Sequence, residues 1–233
     1  MIKLFCIPYA GGSSASYVKW KNSLNEDIQL IPLELAGRGK RISEGHYIDF
    51  NQMVDDIFES IISSIHDHTP FAVFGHSMGG YIAYELFEKL KSFNLKHIFL
   101  SGTRAPHLRI MNYKFKSDQE LINTLRIMGG TPEEILNDQD FLKILIPVVR
   151  SDFTNIATHS FSKIKISVSA TILHGLHEEY NVEDVYAWNE YFNIAPKMCF
   201  FEGGHFFINQ FESSIIDIIN KTLTCSELIS IEK

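Results

Sequence analysis

The stretch Gly75-His76-Ser77-Met78-Gly79-Gly80 lies between a short apolar run, Phe71–Phe74, and a segment with the apolar spacing of a helix. It matches the pattern G-x-S-x-G, the nucleophile elbow, in which a strand turns sharply into a helix and exposes a serine oxygen above a parallel sheet. Glycines flanking the serine let the backbone pass closely, and a helix N-terminus favours negative charge. The stretch therefore predicts an α/β fold with Ser77 as a nucleophile.

Short apolar runs alternate with longer helical patterns on both sides of this motif, which is typical of a parallel sheet covered by helices on both faces. A helix is predicted to begin at a capping box formed by Asp49 and Gln52. Further helices carry Ile82 with Leu86, and Ile215 with Ile219. The predicted strands are rich in β-branched and aromatic residues: Ile2–Ile7, Ile28–Leu35, Phe71–Phe74, His97–Leu100, Ile166–Leu173 and Lys197–Phe201.

One region, residues 108–165, breaks this alternation because it contains no convincing strand. Three helical patterns begin there, at Ser117, at Thr131 and at Asp138, the last reaching Val149. Such an insertion on an open α/β sheet usually covers the site at the carboxyl ends of the strands. We therefore expect an α/β core of residues 1–107 and 166–233 with a helical lid of residues 108–165, the alternative being a surface elaboration.

A serine nucleophile needs a base, and His205 is the best candidate among the ten histidines. It follows the last predicted strand, so it is expected at the same sheet edge as Ser77, whereas His76 more simply shapes the elbow. The chain order serine, acid, histidine is that of α/β-hydrolases. The acid should follow the strand Ile166–Leu173, where the loop offers Glu178 and Glu179 but no aspartate.

An oxyanion hole requires two backbone N–H groups near the serine. One is expected from Met78, directly after the nucleophile. The other is expected from the glycine-containing loop after the first strand, Pro8-Tyr9-Ala10-Gly11-Gly12-Ser13.

Five segments in this order resemble the type II thioesterases, the free-standing editing thioesterases of nonribosomal peptide and polyketide synthases. The resemblance covers nearly the whole chain, and Gly129–Glu134 and Arg150–Phe153 also resemble the helical lid of that family. The five segments are Pro8-Tyr9-Ala10-Gly11-Gly12, Leu35-Ala36-Gly37-Arg38-Gly39, Gly75-His76-Ser77-Met78-Gly79-Gly80, Ser101-Gly102-Thr103-Arg104-Ala105-Pro106-His107 and Gly203-Gly204-His205.

The resemblance implies an α/β-hydrolase that hydrolyses acyl thioesters on the phosphopantetheine arm of acyl- or peptidyl-carrier proteins and so clears stalled or misprimed intermediates. By motif match, Ser77 is the nucleophile and His205 the base, and the amides of Ala10 and Met78 form the oxyanion hole. Glu178, three residues after Gly175, stands where the family typically has an aspartate, and we expect it to be the acid. A smaller departure is Ala36, where the family commonly has proline. No cofactor or metal is expected.

The composition narrows the choice of partners. Lys and Arg number 21 and Asp and Glu 28, giving a net charge of −7, whereas nucleic-acid binders usually carry a basic excess. Cys6, Cys199 and Cys225 are too few and too scattered for a disulfide framework, so they are expected to be free thiols in a reducing cytoplasm. No apolar run approaches the length of a membrane span. We expect a cytoplasmic protein with no nucleic-acid or membrane partner.

Carrier proteins of this kind are usually acidic, as the resemblance implies, and this chain is acidic too. Recognition would then require a local basic patch, for which Arg38, Lys40, Arg41 and Arg104 are the candidates because they follow strands at the edge of the sheet that carries Ser77. The equally weighted alternative is that they are solvated loop charges.

The candidate site residues are also compatible with other functions. The same residues suit a carboxylesterase or lipase acting on oxygen esters, or an acyltransferase. The absence of the expected aspartate also leaves room for a non-catalytic binding module with a hydrolase fold. Phe141, Leu142, Leu145 and Phe153 are expected either to line an acyl tunnel or to form the core of the lid.

Overall fold

The computed structural model describes residues 1–66, 68–109 and 115–224. Within these ranges one sheet has six strands: β1 (Ile2–Ile7), β2 (Ile28–Pro32), β3 (Phe71–His76), β4 (Leu95–Ser101), β5 (Ser169–Gly175) and β6 (Lys197–Phe201). Their order across the sheet is β2-β1-β3-β4-β5-β6. All neighbouring strands are parallel, so the loops that follow them open at one edge.

The predicted fold class is confirmed, and four of the six strands differ from the sequence prediction in their boundaries. β3 extends to His76, beyond the predicted Phe74, and β4 runs from Leu95 to Ser101 rather than from His97 to Leu100. β2 ends at Pro32, before the predicted Leu35. Ile166 precedes β5, and instead of joining the main sheet it forms an isolated bridge with Phe192.

Helices cover both faces of the sheet. The first helix begins after Asp49, whose side chain accepts from the Gln52 amide at 2.8 Å, and the Gln52 side chain accepts from the Ile48 amide at 2.8 Å. Segments of 3-10 helix occur at Ser14–Asn22, Gly39–Arg41, Pro106–Leu108 and Ala187–Tyr191. The α-helices are α1 (Phe50–Ile62), α2 (Met78–Leu90), α3 (Asp118–Met128), α4 (Glu133–Leu136), α5 (Gln139–Thr158), α6 (Val182–Tyr186), α7 (Phe207–Gln210) and α8 (Glu212–Thr224).

The core has two layers because side chains of a strand alternate between the faces of the sheet. On β1, Phe5 and Ile7 pack in the layer formed with α1 and α2. Leu4 and Cys6 pack in the opposite layer, together with Trp20 and α8. Burial on both faces explains why the strands are apolar throughout.

The helices α3, α4 and α5 belong to the stretch of chain that connects β4 to β5. Their apolar side chains, including Leu142 and Phe153, form a third cluster of their own. α5 continues past the predicted end at Val149 to Thr158 and contains Pro147. Of the helices in the described ranges, none combines the length and apolar character that crossing a membrane requires.

Candidate active site

The backbone at Ser77 has φ +54° and ψ −119°, a conformation that residues other than glycine rarely adopt. The turn is as tight as the motif predicts. A Cβ added to Gly75 would lie 2.0 Å from the Gly79 carbonyl oxygen, and one added to Gly79 would lie 2.2 Å from the carbonyl oxygen of Ile7. Because neither position has room for a side chain, the two glycines are what allow Ser77 to stand above the sheet edge.

Ser77, His205 and Glu178 are brought together in one hydrogen-bonded series. His205 Nε2 lies 2.9 Å from Ser77 Oγ, and His205 Nδ1 lies 2.8 Å from Glu178 Oε2. An ionised carboxylate only accepts, so Nδ1 carries the proton and Nε2 is left to accept from the serine hydroxyl. The Glu178 side chain is 3% exposed and that of His205 is 17% exposed. This geometry allows the imidazole to take the serine proton while a shielded carboxylate stabilises the resulting cation.

Backbone contacts between two loops decide which glutamate faces the histidine. The amide of His177 donates to the Gly203 carbonyl oxygen at 2.9 Å, and that of Leu176 donates to Phe201 at 2.8 Å. These bonds tie the loop after β5 to the loop after β6. In that register Glu178 points to His205, whereas Glu179 is exposed.

The polar groups around this series are held uncharged by burial. Burial, followed by repulsion from His205, lowers the pKa of His76 well below its usual value, and its Nδ1 lies 2.9 Å from Ser101 Oγ. Burial likewise lowers the pKa of His174, whose Nδ1 lies 3.7 Å from Glu178 Oε1. Burial raises the pKa of the Tyr180 hydroxyl. Burial therefore disfavours a second cation beside Glu178 Oε1.

The two amides expected to form an oxyanion hole belong to Met78 and Ala10. Met78 is the first residue of α2, so its N–H has no acceptor within the helix. Neither its amide nor that of Ala10 donates to another residue in the parts of the chain that the structure covers. Ala10 lies on the wall of a cavity that also contains Ser77 and His205.

Two cavities meet at Ser77 and His205. The first, of about 190 Å³, lies between the loop after β1 and the helices α3, α4 and α5. Its wall includes the apolar side chains of Leu125, Phe141, Leu145, Val149 and Phe153. The second, of about 320 Å³, has charged and polar side chains on its wall, among them those of Arg104, His177, Glu179 and Tyr180. Phe153 belongs to the core of the insertion and also lines the first cavity, and the use of that cavity as an acyl tunnel stays a prediction.

The basic residues predicted to dock a partner differ in their surroundings. The prediction is wrong for Arg38, which is 5% exposed and binds both oxygens of Asp152 at 2.7 and 2.8 Å. Arg41 is partly exposed, and Glu44 and Asp56 both bind its guanidinium, so its role in docking stays a prediction.

Two of the predicted docking residues keep an accessible charge. Lys40 is exposed. Arg104 lies over the ring of Tyr180, 4.2 Å from its centroid, on the wall of the second cavity.

The described ranges contain no group of three or more His, Cys, Asp or Glu side chains placed to hold a metal ion. Cys6 and Cys199 are free thiols. Cys225 lies outside the described residues.

Comparison with known proteins places the chain in a family. A family model described as "Thioesterase domain" matches residues 2–223. The chain belongs to the thioesterase family. This thioesterase is 30% identical over 229 residues to the gramicidin S biosynthesis protein GrsT of Aneurinibacillus migulanus, covering 95% of this chain and 89% of that protein.

Two further matches come from different settings. The thioesterase is 32% identical over 240 residues to the medium-chain S-acyl fatty acid synthase thioesterase of Rattus norvegicus, covering 99% of this chain and 90% of that protein. The crystal structure of ClbQ from the colibactin NRPS/PKS pathway matches with a TM-score of 0.87 at 27% identity, covering 98% of this chain and 99% of ClbQ. The family predicted from the sequence motifs is confirmed, and the chain is a hydrolytic enzyme with an α/β-hydrolase fold.

Proposed function

We propose that this thioesterase hydrolyses acyl thioesters on the phosphopantetheine arm of acyl- or peptidyl-carrier proteins and so clears stalled or misprimed intermediates of a synthase. Two relatives support this setting, since GrsT is named for gramicidin S biosynthesis and ClbQ for an NRPS/PKS pathway. The observation that carries the chemistry is the hydrogen-bonded series from Ser77 through His205 to Glu178.

In the proposed mechanism, Ser77 Oγ attacks the thioester carbonyl carbon while His205 Nε2 takes its proton. Glu178 stabilises the imidazolium, and the amides of Ala10 and Met78 bind the oxyanion. The intermediate collapses as the C–S bond breaks and His205 returns the proton to the departing thiolate. Water then attacks the acyl-enzyme with His205 again as base, which releases the acid and restores the serine.

The two cavities suggest where the parts of the substrate bind. The first cavity has the apolar walls that favour an acyl chain, and the second has polar groups that suit the amides of the arm. In this proposal the insertion, residues 108–165, is a lid over a core formed by residues 1–107 and 166–233. Its helices α3, α4 and α5 supply most of the first cavity's apolar wall.

Docking of the carrier protein is proposed to involve Lys40 and Arg104. Lys40 is available to an acidic partner at the surface, and Arg104 lies on the wall of the cavity that the arm would enter. The overall negative charge of the chain would not steer an acidic partner, so a local contact has to supply the attraction.

The decisive experiment compares one acyl group on three carriers: a carrier protein, a small thiol and the matching small alcohol. We expect kcat/KM to be highest for the acyl-carrier protein and lowest for the oxygen ester, and a fluorophosphonate to label the wild type but not Ser77→Ala. Preference for the oxygen ester would instead indicate a carboxylesterase. A wild type that neither turns over nor becomes labelled would indicate a binding module.

A further inference from the structure

Arg38 and Asp152 form a buried ion pair that the reaction scheme does not use. Their side chains are 6% and 1% exposed. The guanidinium donates to Asp152 Oδ2 at 2.7 Å and to Oδ1 at 2.8 Å, in a two-pronged geometry. The pair joins the turn after β2 to the middle of α5, two segments that the sequence motifs singled out separately.

The pair also bonds to the loop after β1, which holds Ala10. Asp152 Oδ2 accepts from the amide of Gly11 at 2.8 Å, and Arg38 donates to the Gly12 carbonyl oxygen at 3.3 Å. Gly11 has φ +75°, and a Cβ there would lie 2.5 Å from Val149 Cγ2. Helix α5 is therefore packed so closely on this loop that only glycine fits.

Two hydrogen bonds of this loop define the direction of the Ala10 amide, one from Gly12 to Tyr9 and one from Gly11 to Asp152. The C=O and N–H of a planar trans peptide point in opposite directions. The Tyr9 carbonyl oxygen accepts from the Gly12 amide at 2.9 Å, so the N–H of Ala10 in the same peptide points away from Gly12. The bond from Gly11 to Asp152 holds the next peptide plane. Both planes that flank Ala10 are thus fixed, one of them by a side chain from the insertion.

We propose that Asp152, held by Arg38, is a positioning residue that orients the Ala10 amide toward the developing oxyanion. This inference rests on the proposed function. It also gives the insertion a part in the chemical step in addition to covering the site.

A contribution to the stability of the fold is not enough to explain why Arg38 and Asp152 form a buried ion pair. Replacing a buried ion pair by apolar side chains of similar volume is often neutral or stabilising, since both charges have to be desolvated. A carboxylate offers something that an apolar side chain does not, because its two oxygens accept from the guanidinium and from the Gly11 amide together.

The test compares two double variants, neither of which leaves a buried unpaired charge. The first, called the apolar pair, is Arg38→Met/Asp152→Leu, which removes the acceptor for the Gly11 amide. The second, called the neutral polar pair, is Arg38→Gln/Asp152→Asn, in which an amide oxygen can still accept from the Gly11 amide. Losing one oxyanion donor costs about 10²–10³ in kcat, so the apolar pair should lose about 100-fold in kcat on a small acyl thioester, with KM within about threefold. The neutral polar pair should lose less than about tenfold.

A second readout separates positioning from general loosening. An alkylboronic acid forms a tetrahedral adduct on the serine, and its affinity should fall in the apolar pair in parallel with kcat, whereas the affinity for the carboxylic acid product should not. The control is Arg150→Met/Asp118→Leu, which removes an ion pair between α5 and α3 that is away from the loop. It should leave kcat and the boronate affinity unchanged.

Wild-type kcat in the apolar pair, or an equal loss in both double variants, would overturn the positioning role while leaving the proposed function intact. An inactive wild type would instead reject the proposed function. If the apolar pair does not fold, Arg38→Lys decides, because lysine keeps the charge but cannot hold both carboxylate oxygens. A kcat loss of about tenfold or more with unchanged KM then supports the role, and unchanged kcat overturns it.

Discussion

Replacing Glu178 by glutamine tests the acid of the proposed triad with little change in shape. The substitution keeps the length of the side chain and removes its charge. We expect the fold and KM to persist and kcat to fall by about 10⁴.

The size of the effect follows from the surroundings of the carboxylate. Glu178 Oε2 lies 2.8 Å from His205 Nδ1, and its side chain is 3% exposed, so water screens the pair weakly. Opposite charges about 4 Å apart attract by about 4 kcal/mol at an effective dielectric constant of about 20. Losing that attraction in the transition state slows the reaction about 10³-fold. An amide N–H facing the ring also favours the wrong imidazole tautomer, which brings the loss to about 10⁴.

The assay is hydrolysis of a short acyl-N-acetylcysteamine thioester, with the released thiol measured by a colorimetric reagent. Glu179→Gln is the matched control, because it makes the same chemical change one residue away on an exposed side chain. Glu178→Asp keeps the charge but shortens the reach, so its kcat should lie between those of the wild type and Glu178→Gln. A loss of less than tenfold in Glu178→Gln, or a larger loss in Glu179→Gln, would refute the assignment.

Three further predictions follow from the site and the core. Ser77→Ala should keep the circular dichroism spectrum of the fold and lose at least about 10⁴ in turnover. Burial, with a smaller contribution from Lys197, lowers the pKa of His97 to about 3. Between about pH 6.5 and 3, His97 therefore binds a proton in the unfolded chain but not in the folded one. As the pH drops through this range, the free energy of unfolding falls by up to about 1.4 kcal/mol per pH unit. Calorimetry of His97→Gln should show a shallower fall with pH than calorimetry of the wild type. Lys40→Glu should raise KM for an acyl-carrier protein and leave a small thioester unaffected, whereas Arg41→Glu should lower the melting temperature, since it breaks the contact with Asp56.

The sheet and the position of the nucleophile are readable from the sequence because both depend on local patterns. Apolar runs mark the strands, and the glycines around Ser77 mark a turn that few other residues permit. His205 is readable for the same reason, since it directly follows a strand. The choice between Glu178 and Glu179 is not readable from the residues alone. It depends on the register of two loops that are bonded through the His177 amide, a contact between segments far apart in the chain.

Contacts at long range account for what the sequence did not predict. Arg38 follows a strand in a polar turn, a position typical of exposed charges, and its carboxylate partner Asp152 is 114 residues away. The extension of α5 beyond Val149 has a similar origin. Pro147 weakens the helical pattern, but the helix continues because Phe153 is buried in the cluster of the insertion and Ile156 is buried in the core layer that contains α1 and α2.

The backbone conformation of Ser77 lowers the free energy of unfolding, and a glycine at this position would remove that strain. A residue other than glycine in such a conformation costs about 1–3 kcal/mol, a large share of the roughly 5–15 kcal/mol that holds a domain folded. A library of variants sorted by heat resistance alone would therefore enrich glycine at position 77 and discard the nucleophile. Laboratory evolution of this thioesterase has to select for turnover and heat resistance together, because the two are opposed at this residue.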